Sequence, residues 1–185
     1  MHRFKLLPSL LAATLLFAMG AMASAQQSPK PDPELTKLHA FLGHWKYEGE
    51  VKPGPWGPGG EIAGEATTQM TLGGFVMRTI EKQKGSGMTV ALGIDTYDSS
   101  NKDFSSNWYY ADGTIFSGTL VPNGNTFTGT GKFILAGKQY LLKMPLVISP
   151  DSMSATETGE VSVDGRTWAP FIEAKMLRAI PSAKK

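Results

Sequence analysis

Apolar positions along this chain change their spacing once, at Gly43, and the change separates two kinds of structure. Before it, Leu35, Leu38, Phe41 and Leu42 recur at the steps of one helix face, opened by Pro33-Glu34-Leu35 and stopped by Gly43. After it the period is two. Trp45, Tyr47, Gly49 and Val51 alternate with His44, Lys46, Glu48, Glu50 and Lys52, which describes a strand with one dry and one wet face. Ile62, Gly64, Ala66, Thr68, Met70 and Leu72 alternate likewise with Glu61, Glu65, Thr67 and Gln69. Further strands are predicted over 75–82, 88–97, 104–110, 114–121, 126–135, 139–148, 152–161 and 167–178.

Turn chemistry separates these runs: Asp98-Ser99-Ser100-Asn101, Asp112-Gly113, Pro122-Asn123-Gly124-Asn125, Ala136-Gly137, Pro150-Asp151 and Asp164-Gly165. The links are too short for parallel crossovers, so the strands should pair antiparallel in chain order. A sheet of about ten such strands with one apolar face removes its unpaired edges by closing. The expected fold is therefore all-β, an antiparallel up-and-down barrel with a short N-terminal helix. A two-sheet sandwich is the competing architecture, and it calls for longer Greek-key connections than this chain has.

The first 25 residues have a different character. Arg3 and Lys5 precede an apolar run from Leu10 to Met22, and Ala23-Ser24-Ala25 has the small-residue spacing of a signal-peptide cleavage site. The run is shorter than the ~20 apolar residues of a membrane span, so the expectation is export and cleavage before Gln26, with no integral membrane segment afterwards. Residues 26–33 read as a flexible lead-in, 34–180 as a single barrel domain and 181–185 as a tail. Losing Arg3 and Lys5 takes the balance from 18 basic against 16 acidic residues to 16 against 16. A neutral chain without a basic stripe argues against nucleic acid as a partner. With no cysteine in the chain, a periplasmic or secreted protein must be stable without disulfides.

The helix followed by Gly43-His44-Trp45, the Leu72-Gly73-Gly74-Phe75 step, Gly93-Ile94-Asp95-Thr96-Tyr97-Asp98, then Trp108, Gly118 and a late Arg178, together resemble the DUF1579 family of exported bacterial proteins. That family is similar to the lipocalin-like, or calycin, barrels. The resemblance runs from Leu35 to Arg178 and implies a fold; the family has no defined function, so no catalytic residue comes with it. It also implies that Gly43, Trp45 and Arg178 close the barrel, with the arginine over the indole face and bonded to backbone near the entry helix.

Chemistry is sparse. His39 and His44, the histidines after the leader, are spaced by five without a cysteine or a Glu-x-x-His partner, which makes a poor metal site. No histidine follows His44, which argues against a histidine-ligated haem. No Gly-x-Ser-x-Gly elbow is present, and Glu48 with Glu50 falls on a wet face. Asp95 and Asp98 flank Tyr97, and Asp98 is expected to serve the turn it opens. The expectation is a protein without enzymatic activity, metal or other cofactor.

For binding, Met70, Met77, Trp108, Tyr110, Phe127, Phe133 and Met144 either line a cavity for a small apolar or amphiphilic molecule or fill a core. Arg78 falls in phase with Val76 and Ile80, and is the candidate inward cation for a ligand carboxylate. The long proline-rich loop at 52–60 carries Trp56, placed either against the barrel rim or as the grip of a partner in a cell-envelope interaction module.

Overall fold

The computed structural model describes residues 29–179; the expected leader at 1–25 and tail at 181–185 lie outside them. The described chain opens with a 3₁₀ helix, Pro33–Phe41, and continues as ten strands: β1 Gly43–Val51, β2 Gly60–Thr71, β3 Val76–Gln83, β4 Thr89–Asp98, β5 Asp103–Tyr110, β6 Ile115–Asn123, β7 Thr126–Leu135, β8 Lys138–Ile148, β9 Ser154–Ser162 and β10 Ala169–Arg178. Every strand pairs antiparallel with its chain neighbours, and β1 pairs with β10. The result is a calycin-like closed barrel. That last ladder, with Trp45 opposite Arg178 and Val51 opposite Ile172, excludes the sandwich.

The entry element is wound more tightly than an α-helix. Leu35, Leu38 and Phe41 stand at steps of three, and residues at i and i+3 eclipse in a 3₁₀ helix, so all three share one stripe. Leu35 and Leu38 are buried against Met77 and Phe104. Asp32 caps the start by accepting from the Glu34 N–H at 3.0 Å, and Pro33 needs no acceptor there.

Inside the barrel, two clusters follow one another along the axis. One, beside the entry helix, holds Trp45, Ala66, Phe127, Ile148 and Ala155; the other, toward the opposite end, holds Phe116, Phe133, Tyr140, Leu142, Val161 and Phe171. A bulge between Pro170 and Ile172 shifts the register of β10 against β9 and lets Phe171 and Ile172 both join the second cluster.

The outer face is apolar in one sector. Cross-strand pairing places Ile80, Leu92, Tyr109, Ile115 and Ile134 in a row across β3 to β7. Such a row on the wrong side of the sheet conceals the inward phase of β3 in the sequence.

Candidate functional site

Barrel closure is held by the arginine and tryptophan at the two ends of the strand series. The Arg178 guanidinium carbon lies 4.3 Å from the centre of the Trp45 ring. Its Nε donates to the Ser152 carbonyl at 2.7 Å, one terminal nitrogen donates to the Ala40 carbonyl at 2.8 Å, and the other donates to the Leu42 carbonyl. Trp45 Nε1 donates to the Phe41 carbonyl at 2.7 Å. The bonds to Ala40, Phe41 and Leu42 satisfy carbonyls where the entry helix ends, and the bond to Ser152 ties the turn between β8 and β9 to the same arginine. Gly43 is required beneath them: its φ is +118°, and a Cβ there would stand 2.9 Å from the guanidinium.

Above this floor lie two adjoining chambers. The lower, about 110 Å³, is bounded by Trp45, Met77, Phe116, Phe127, Leu146 and Ile148 among others. The upper, about 480 Å³, reaches the far end between Val51, the 56–60 segment, Tyr110, Thr114 and Phe171. Glu81, Trp108, Met144, Glu157 and Met176 border both chambers and so mark the waist. The Trp108 indole fits because position 93 on β4 is glycine: a Cβ there would meet the ring at 2.7 Å.

The waist is acidic. Glu81 projects inward from β3 in step with Met77 and Thr79, and Glu157 from β9 in step with Ala155 and Val161. Burial pushes the Glu81 carboxyl up from 4.5 to about 7, with repulsion from Glu157 adding to it. Burial likewise pushes Glu157 up to about 7. Asp95, 2% exposed on β4, is raised by burial to about 6 against the lowering effect of its bond with Ser106. Burial and the nearby Glu81 charge raise Tyr47 to about 12. Tyr110 goes well above its ordinary value through burial and then the charges of Glu81 and Glu157. The residues bordering the two chambers include no lysine, arginine or histidine. Among the described residues, neither Glu81 nor Glu157 has an ion-pair partner.

A family model described as "Protein of unknown function (DUF1579)" matches residues 30–178. The chain belongs to that family. No curated protein matches this DUF1579 chain. Among solved structures, that of Rv2717c from M. tuberculosis is similar, with 14% identity over 82% of this chain and all of the other, and a TM-score of 0.55. That likeness is one of fold.

The DUF1579 barrel gathers Met77, Trp108, Tyr110, Phe127, Phe133 and Met144 around its chambers. Met70 faces inward opposite Met77 but packs with Leu35, Leu38 and Phe104 under the floor. Arg78 does not enter the lumen. Met77 and Thr79 take the inward phase, so Arg78 shares the outer face with Val76 and Ile80, its cross-strand partners being Gln69 and Ile94. Trp56 turns inward instead of standing at an exposed tip. Its Nε1 donates to the Lys52 carbonyl at 2.7 Å, and its ring meets Phe171 and Tyr140 edge-on at 5.5 and 6.3 Å.

Asp98 serves its turn as expected, accepting from the Ser100 hydroxyl and N–H at 2.7 and 2.8 Å, which holds its carboxyl below the usual range. Glu81 and Glu157 were not among the sequence candidates. Their one sequence signal is phase: Glu81 stands two and four residues beyond Thr79 and Met77, and Glu157 stands between Ala155 and Gly159.

Proposed function

We propose that this barrel holds one small, largely apolar or amphiphilic molecule in its interior, without acting on it chemically, and that it works outside the cytoplasm. The observation that carries the reading is the upper chamber: about 480 Å³ of space walled by aromatic and aliphatic side chains, continuous in its lining with a lower chamber. Ligand pockets of about 300–1,000 Å³ combine such walls with a few placed polar groups, and here Glu81, Asp95, Glu157 and Tyr110 are those groups. Side chains that merely filled a barrel would leave few voids larger than a water molecule.

Export rests on the leader pattern, with Gln26 as the first residue of the mature chain. Native mass spectrometry of the full-length gene product, purified from its own host, tests both parts. The expected spectrum has a chain starting at Gln26 and carrying one additional small mass, released on unfolding. A chain that retains Met1 contradicts export, and a spectrum of bare protein that also takes up none of a panel of amphiphiles contradicts binding.

A further inference from the structure

We infer that the molecule held in the cavity carries an organic ammonium head, and that Glu81 and Glu157 receive that head at the waist between the two chambers. The inference rests on the binding reading above and names the chemistry of its ligand. It also reverses the polarity expected from Arg78.

Three observations carry it. Glu81 and Glu157 come from β3 and β9, which are not neighbours in the barrel, so the two carboxyls face the lumen from separate walls while bordering the same two chambers. Second, no cation is supplied by the protein. The other titratable groups around the two chambers are Asp95, Asp112, Glu61, Tyr47 and Tyr110, from β4, the turn after β5, β2, β1 and β5, and all are acids. A carboxylate held in a largely apolar interior without a counter-charge is costly, and a bound cation removes that cost.

Third, polar capacity is left over in the upper chamber, and an aromatic face stands at the waist. Thr114, 4% exposed and bordering the upper chamber, has a hydroxyl with no hydrogen-bond partner. Trp108 borders both chambers at the same level, and an indole face attracts ammonium groups. A metal ion fits less well, since among the described residues no three His, Cys, Asp or Glu side chains are grouped to hold one. The flanking chambers are apolar, which suits an ammonium with a hydrocarbon body.

Three ligands of one length separate the possibilities: octylamine, octanol and octanoate, titrated calorimetrically into the intact mature protein at pH 8. A charge-assisted bond corresponds to roughly ten- to a hundredfold in affinity, so octylamine should bind that much more tightly than octanol, and octanoate more weakly than either. The isosteric variant Glu81→Gln/Glu157→Gln should bring octylamine to the affinity of octanol and leave octanol unchanged. Alkylamines stay protonated to about pH 10. Octylamine affinity should therefore fall as the pH is lowered from 8 to 5.5 and protons compete for the carboxylates, with protons released on binding near pH 6.5.

Equal binding of amine and alcohol, or tightest binding of octanoate, overturns the ammonium inference and leaves the binding cavity standing. Binding of none of the three removes the cavity reading, and this inference with it. The single variant Glu157→Gln keeps the test decisive should the double variant not fold: an undiminished preference for the amine would also overturn the assignment.

Discussion

At the scale of single residues, the Arg178 guanidinium stacked on Trp45 is the contact on which closure depends. The two residues are directly paired across the β1–β10 ladder, and the arginine also holds three backbone carbonyls. Truncating a buried tryptophan commonly costs about 3–5 kcal/mol. A double-mutant cycle of Trp45→Phe and Arg178→Met, read by denaturant unfolding, should give a coupling of about 0.5–3 kcal/mol; additive losses would mean that the stack contributes nothing to stability. The inward phase of Trp45 was legible because β1 alternates cleanly with charged neighbours; its pairing with Arg178 on β10 was implied by the family resemblance and not by alternation.

Glu81 was not legible, because the outer face of β3 is as apolar as its inner face and alternation alone assigned the wrong side; Glu157 was not, because its inward neighbours on β9, Ala155 and Gly159, are too small to mark an apolar face. Their effect on stability has a definite sign. Each binds its proton more tightly in the folded state, near pH 7, than at its ordinary 4.5. The folded protein therefore carries extra protons across that window. Stability is fully present below about pH 4.5 and declines as the pH rises to about 7. Replacing either glutamate by glutamine should flatten this decline and raise stability at pH 8 by on the order of 2 kcal/mol. Thermal melts of the wild type and variants from pH 4.5 to 8 measure it, and parallel curves would contradict the account.

At the scale of elements, the entry helix is the plug of the barrel. Leu38 is wholly buried at 0% exposure and packs with Leu35, Met77 and Phe104. Leu38→Ala should cost about 2–5 kcal/mol in denaturant unfolding, whereas Thr36→Ala on the exposed side of the same helix should change stability by no more than about 0.5 kcal/mol. The position of this helix could be read from Leu35, Leu38 and Phe41; its tighter winding could not, because steps of three fit a 3₁₀ stripe and nearly fit an α-helix. The bulge in β10 was hidden for a similar reason. Two consecutive apolar residues, Phe171 and Ile172, break the period of two, and pairing with β9 resolves which way they face. The loop carrying Trp56 became an inward wall through contacts with Tyr140 and Phe171, far away in sequence.

At the scale of the whole molecule, closure explains why a chain without cysteine can keep empty space inside. With β1 bonded to β10 there is no free edge, and backbone hydrogen bonds around the full circumference hold the wall without requiring side chains to fill it. The number and order of strands were legible from turn residues and alternation. The hollow was not, because the same aromatic and thioether residues can fill a barrel or line one. The most direct measurement is a methyl NMR titration of the protein, labelled at methionine, with octylamine and with octanol. Met144 and Met176 border both chambers, whereas Met88 and Met153 are 56% and 37% exposed. Saturable shifts of Met144 and Met176 at one equivalent, with Met88 and Met153 unmoved, are the predicted result. Shifts confined to Met88 and Met153, or none at all, would contradict an interior binding site.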